Sequence, residues 1–341
     1  MTTAPEALLT RLQLLVNRRL DGLLQGDHLG LLPGPGSEAG ESREYRPGDD
    51  VRRMDWPVTA RTTVPHVRRT EADRELEVWL AVDGSASLDF GTAAALKREL
   101  ALAAAAAITH LTVRGGNRVG ALIAAGGAPL RRMPARPGRR WAQALLQAVA
   151  TTPVRPGQVD LGALVDGLNR PPRRRGLAVV ISDFLAVPGQ WARPARVLAA
   201  RHDVLAVEVL DPRELELPDV GVLEVVDPET GVVHEVRTDP ALRARYAEEA
   251  ARQRAGIADA LRDAGASHLR LRTDTDWLME IVRYVAARRR LRGAAARPAG
   301  GTARPGGAAR PGGTAWPGGT ARPGGAAARP VPADAPAGEY P

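Results

Sequence analysis

Asp83, Ser85 and Ser87 stand at alternate positions of AVDGSASLDFG (81–91), directly after the apolar run LEVWLAV (76–82). Alternate residues of an extended loop point the same way, so one carboxylate and two hydroxyls converge. Such an oxygen set suits a hard divalent cation, Mg2+ or Mn2+, which takes carboxylate and hydroxyl oxygens and keeps some of its waters. A second apolar run, GLAVVISDF (176–184), ends on Ser182 and Asp183; a third, DVLAVEVL (203–210), is followed by Asp211, Arg213 and Glu214. Asp183, on a strand expected beside the first, would approach the same ion from the side, directly or through water. The D-x-S-x-S spacing alone says little, because Ser and Asp are also ordinary helix N-caps. A second strand ending in Asp is what gives it weight.

Positioning these groups needs strands that deliver them to one edge. The three apolar runs read as strands buried on both faces, as in a parallel sheet. Between and after them lie helical patterns: Thr92 to Val113, 139–150, 160–169, 191–200, a long helix opened by Asp239-Pro240 and stopping near Gly265, and a last one expected to be capped by Asp274 and carrying Trp277, Leu278, Ile281, Val282 and Val285. Strands at 118–125 and 128–134 form a hairpin across Gly126-Gly127, 220–238 a second hairpin, and SHLRLRT (267–273) a final strand. Alternating strands and helices predict an α/β fold with a doubly wound, mostly parallel sheet, β-hairpin additions and an N-terminal helix. In such sheets ligands bind beyond the carboxyl ends of the strands.

The rest of the chain divides by composition. Residues 1–30 hold an amphipathic helix with Leu8, Leu9, Leu12, Leu15, Val16 and Leu20 at helical spacing. Residues 31–75 begin with the Gly/Pro-rich LLPGPGSEAGES and continue into YRPGDDVRRMDWPVTARTTVP (45–65), dense in acid and base. There Arg46, Asp49, Asp50, Arg53, Asp55 and Trp56 are expected to pin a loop to the core through Arg–carboxylate pairs; the sharper alternative is a partner-binding surface, joined by Asp211 and Glu214. Residues 76–290 are the α/β domain. From 291 the repeats TARPGG, AARPGG and TAWPGG offer almost nothing to bury, so a disordered tail is expected.

Of the 341 residues, 44% are hydrophobic and only 4% aromatic, so Ala, Leu and Val must fill the core. The absence of cysteine excludes disulfides, thiolate catalysis and Cys-based zinc sites. The formal charge of +8 falls about half in the C-terminal repeats, without the clustered patch expected of a specific nucleic-acid binder. The N-terminus lacks a signal peptide's basic start and continuous apolar core, and no run is long enough to span a bilayer. The expected location is the cytoplasm.

The D-x-S-x-S loop resembles the metal-ion-dependent adhesion site of von Willebrand factor type A domains. The segment YRPGDDVRRMDWPVTAR, with ISDF, DPRE followed by LPDVG, and DPETG, is similar to the bacterial domain-of-unknown-function family fifty-eight, over roughly residues 25 to 290. That resemblance implies a non-catalytic protein-binding domain, often encoded beside a MoxR-type AAA+ ATPase and working with it in chaperone-like assembly or maturation. It implies a metal set of Asp83, Ser85, Ser87 and Asp183, with one position left for a partner's carboxylate. The family's middle motif has a threonine before an aspartate, typically GTDL, where this chain reads GQVDL: Val159 has no oxygen to offer, leaving Asp160 or water to substitute.

Enzyme readings fit less well. A haloacid-dehalogenase-type phosphatase needs an aspartate where Ser85 stands, and Gly84-Ser85-Ala86-Ser87 is out of register for a G-x-S-x-G elbow. No G-x-x-x-x-G-K-[ST] loop exists, and no G-x-G-x-x-G follows a strand. The enzymatic alternative is a Mg2+-dependent phosphohydrolase using Asp83, Asp183 and Asp211.

Overall fold

The computed structural model describes residues 4–23, 42–47, 49–68, 76–155, 157–170, 176–226 and 232–295. In chain order its elements are α1 (Ala4–Leu23), β1 (Ser42–Glu44), α2 (Trp56–Thr62), β2 (His66–Arg68), β3 (Glu77–Val82), α3 (Lys97–Arg114), β4 (Arg118–Ile123), β5 (Arg131–Arg136), α4 (Arg139–Ala150), α5 (Leu161–Asn169), β6 (Gly176–Ser182), α6 (Pro188–Ala199), β7 (Asp203–Leu210), β8 (Val222–Val226), β9 (Val233–Arg237), α7 (Pro240–Asp263), β10 (Ser267–Arg272) and α8 (Trp277–Ala295). The expected Gly/Pro-rich loop (about 30–41) and repeat tail fall outside the described residues, except that 291–295 continue α8 past the expected boundary.

Six strands form the central sheet in the order β10-β7-β6-β3-β4-β5. All neighbours run parallel except β5, which pairs antiparallel with β4 as the hairpin pattern predicts. Each strand of the middle is buried on both faces, so its side chains alternate between two cores. From β3, Val78, Leu80 and Val82 enter one core together with α3, α4, α8 and Leu9 and Val16 of α1. Trp79 and Ala81 enter the other with Leu164 of α5, Trp191 of α6 and Ile257 of α7. Burying each such Val, Leu or Trp contributes about 1.5–3 kcal/mol, which is why the apolar runs dominate the local choice of strand. The α/β, mostly parallel architecture is the one the sequence predicts.

The Ala-rich α3 is buried almost all round, from Leu100 to Ile108. It lies between the sheet and α1, and its methyl side chains let both approach closely. The helix begins at Lys97, not at Thr92 as the pattern suggested. The reason is a long-range contact: Asp211 takes both the Thr92 N–H (2.7 Å) and the Thr92 hydroxyl (2.6 Å), holding residues 91–96 out of the helix. Similarly, the start of α8 is capped by Asp276, which accepts from Met279 N–H, whereas Asp274, the expected cap, pairs with Arg272. The second hairpin is present as β8 and β9, in a two-stranded sheet of its own.

After β3 the chain moves outward to β4, then returns past β3 to β6, so the topology reverses between β3 and β6. Their carboxyl ends carry Asp83 and Asp183. Loops diverging from adjacent parallel strands open a crevice at such a reversal.

Candidate functional site

The Asp83 N–H donates to Ile181 O (3.0 Å), extending the β3–β6 ladder by one bond and fixing where the loop departs. Gly84 follows because the turn runs against the end of β4: a Cβ there would lie 2.3 Å from Ala124 O. On the other strand Phe184 is a left-handed residue, φ 55°, a costly conformation for a bulky side chain. It is held by burial, by a T-shaped contact with Trp191 (centroids 5.3 Å apart), and by its N–H donating to Ser182 Oγ (3.1 Å). That kink turns Asp183 toward the β3 loop.

The two loops then lock together. Asp83 Oδ1 accepts from Ser85 N–H (2.9 Å) and Oδ2 from the Ser182 hydroxyl (2.6 Å). Ser85 and Ser87 Oγ lie 3.0 Å apart, and the Ser87 hydroxyl donates to Asp183 Oδ2 (2.7 Å). Asp183 Oδ1 accepts from Leu185 N–H (3.3 Å). Asp83, Ser85, Ser87 and Asp183 thus share one cluster, on neighbouring strand ends. Burial, and then the Asp183 charge, push the Asp83 carboxyl up from 3.8 to about 6.

Sequence reasoning missed the cation. The Lys97 ammonium, 1% exposed, donates to Asp183 Oδ2 (2.9 Å) and Glu214 Oε1 (2.6 Å). Burial alone would lower its pKa, but the charges of Asp183 and Glu214 outweigh it and hold Lys97 above the ordinary lysine value. Glu214 Oε2 accepts from Asp211 N–H (3.0 Å) and lies 3.7 Å from Arg254 Nη2. Arg254 in turn donates to Asp183 O (2.9 Å) and to the fully buried Glu208 (3.0 Å). One signal was present: Lys97 is the single lysine among 47 basic residues. A chain that uses arginine everywhere else has kept the compact ammonium where a planar guanidinium would need more room.

Whether this cluster suits a divalent ion turns on its oxygens and its charge. The 3.0 Å between the serine hydroxyls is the spacing of two adjacent ligands in an octahedral shell. Against that, all four oxygens of Asp83 and Asp183 already accept from the protein. Val159, half-buried, packs against the apolar core, and Asp160 uses its carboxylate to cap α5 through Ala163 N–H (2.8 Å). An ion bound to Asp183 Oδ2 at about 2.1 Å would stand no more than about 5 Å from Nζ, given the 2.9 Å contact, where repulsion is roughly 7 kcal/mol at an effective dielectric of about 20. The residues present do not fit a divalent ion as they stand.

Other expected residues serve the scaffold. Asp211 is fully buried, and its carboxylate accepts from Thr92 twice, from Arg213 N–H (2.9 Å) and from the Thr273 hydroxyl (2.8 Å). It is therefore neither a surface contact nor a third metal ligand, a correction to both readings of it. Among the described residues, no three Asp, Glu or His side chains are grouped to hold a metal, and Asp211 is not grouped with Asp83 and Asp183. Glu214 faces Lys97 rather than solvent. In the polar segment, Asp55 is buried, caps α2 through Val58 N–H and accepts from the Ser42 hydroxyl; it too is a tether, not a contact surface. Asp49 accepts from Arg46 N–H and Asp50 from Arg52 N–H, so backbone caps account for part of the acid in this segment. Trp56 (67% exposed), Arg46 and Asp50 remain at the surface, and the Arg53 side chain lies outside the described residues.

No helix among the described residues is long and apolar enough to cross a membrane. Comparison with solved structures finds the conserved hypothetical protein BatB from Bacteroides thetaiotaomicron, 18% identical over 62% of this chain and 98% of that one, TM-score 0.41. It also finds the SpRpn10 VWA domain, 12% identical over 62% and 94%, TM-score 0.36. Among curated sequences, uncharacterized protein Rv1480 of Mycobacterium tuberculosis (strain ATCC 25618 / H37Rv) is 62% identical over 83% of this chain and 90% of its own length. Uncharacterized protein MAV169 of Mycobacterium avium is 53% identical over 47% and 96%. A family model described as protein of unknown function DUF58 matches residues 41–256, and the chain belongs to that family.

Proposed function

We propose that this chain is a non-catalytic docking protein whose contact surface is the pair of loops leaving β3 and β6, and whose partner is a MoxR-type AAA+ ATPase engaged in assembly or maturation of other proteins. One observation carries the surface: Phe90, Leu185 and Val187 are 38%, 38% and 65% exposed on those two loops, around a polar cluster in which every described carboxylate already has a donor. Exposed apolar groups rimming a rigid polar centre resemble a recognition site, where anchors give up water on binding. A catalytic site would instead need a nucleophile or base free to meet substrate. The ATPase partner is what the family resemblance implies, and cytoplasmic location would follow from it.

The test is direct binding between the purified chain and the MoxR-type ATPase encoded in the same genome, by interferometry. Leu185→Asp and Val187→Asp, both on solvent-facing positions, should weaken association at least about tenfold, the size of one lost anchor. Unchanged affinity in both variants would remove this surface from consideration, and no association of the wild type would remove the partner.

A further inference from the structure

We propose that Lys97 is the resident cation of this site: its ammonium does the charge-neutralising work of a divalent ion, so the β3 and β6 loops are set without metal. This concerns the loops assigned above to docking, but it stands or falls independently of any partner. The geometry that points to it begins with placement. Lys97 is the first residue of α3, its N–H donates to Phe90 O (2.8 Å), and its side chain is buried along its whole length. The ammonium therefore cannot withdraw to solvent as a surface lysine would.

The contacts extend this to the whole loop pair. Asp183 Oδ2 receives both Lys97 Nζ (2.9 Å) and the Ser87 hydroxyl (2.7 Å), and Ser87 touches Ser85 (3.0 Å). The same ammonium reaches Glu214 Oε1 (2.6 Å), whose second oxygen holds the Asp211 N–H. One cation thus ties together the ends of β3, β6 and β7, the three strands whose loops meet here. The charges agree: Asp183 and Glu214 are answered by Lys97, with Arg254 closing the far side of Glu214. The carboxylates left for a dication are Asp83 and the fully buried Asp211, whose oxygens are already taken by neutral donors. The valine at 159 fits the same picture, since a site with its own cation needs no threonine oxygen there.

The experiment uses the full chain, stripped of metal, with Mn2+ uptake followed by electron paramagnetic resonance and thermal melts recorded with chelator or with millimolar Mg2+. The wild type is expected to leave Mn2+ free and to melt identically in both conditions. Lys97→Met, which strips Asp183 and Glu214 of their counter-charge, is expected to take up one Mn2+ per chain and to melt higher with Mg2+. Uptake of one Mn2+ by the wild type, abolished by Asp83→Ala, would overturn the proposal, as would a folded Lys97→Met that gains no Mn2+. Should Lys97→Met fail to fold, the wild-type titration decides alone. Neither readout depends on the ATPase, so loss of the docking reading would leave the result intact.

Discussion

Lys97 Nζ lies 2.9 Å from Asp183 Oδ2, across 86 residues of sequence, with side-chain exposures of 1% and 3%. Two opposite charges this deep are costly to separate. Removing one partner leaves the other buried and unanswered, a loss of about 3–5 kcal/mol. Lys97→Met should therefore lower the urea midpoint sharply. Lys97→Met combined with Glu214→Gln should cost less than the sum of the single changes, by roughly 1 kcal/mol or more. Strict additivity in equilibrium unfolding would show that Lys97 and Glu214 are not coupled.

Asp83 gives the site a pH dependence of definite sign. Its folded pKa is raised, from 3.8 to about 6, so the fold favours the protonated carboxyl. Its stabilising contribution is complete below about 3.8 and lost as pH rises through about 6. Asp83→Asn keeps the shape and removes that loss. It should be more stable than wild type at pH 8, by roughly 3 kcal/mol, and no more stable at pH 4. Melts of both proteins across that range check it; a constant difference would reject the argument. A bound dication would produce the opposite order at pH 8.

Glu208 works in the other direction. Burial alone would raise its pKa, but hydrogen bonds from His268 and Arg270, with the charges of Arg270 and Arg254, hold it below the ordinary glutamate value of 4.5. A depressed carboxylate contributes stability above its unfolded pKa and loses it as pH falls through the folded one. Wild type should thus weaken progressively below about pH 4.5, and Glu208→Gln should lose Glu208's share of that acid limb while the depressed Asp211, Asp274 and Asp276 keep theirs. At pH 7 the same variant should be less stable by about 3 kcal/mol, because the buried Arg254 loses the nearer of its two carboxylates and keeps only Glu214, at 3.7 Å. Urea titrations at the two pH values measure both effects.

These expectations show where the sequence is legible. The strands 76–82 and 176–184 are readable because burial on both faces leaves a continuous apolar run, and a carboxylate at the end of each marks the crevice. The family segment YRPGDDVRRMDW is readable as a pattern, yet Asp55 within it proves to be a buried cap, which no pattern distinguishes from an exposed acid. Asp211 misled for the same reason: after a strand, Asp suits a ligand and a tether equally. The start of α3 was illegible because its cause, the Asp211–Thr92 contact, spans 119 residues. Lys97 escaped because a lone lysine at a helix start looks solvated until the strands that surround it are assembled.

The Thr92 contact yields the last prediction. Asp211 holds the Thr92 hydroxyl at 2.6 Å and its N–H at 2.7 Å, and this tether is what keeps residues 91–96 folded over the start of α3, where Lys97 is buried. Thr92→Val retains the N–H and the side-chain shape but leaves Asp211 Oδ1 with the Arg213 N–H alone, the loss of one hydrogen bond to a charged group, about 1.5–3 kcal/mol. The strain falls on the segment immediately before Lys97, so local opening should become easier than global unfolding. Because the chain contains one lysine, endoproteinase Lys-C reports that opening at a single bond. The wild type should resist cleavage under native conditions, whereas Thr92→Val should be cut into residues 1–97 and 98–341 well below its melting temperature. Equal resistance of the two proteins would mean that the Asp211 tether does not govern access to Lys97.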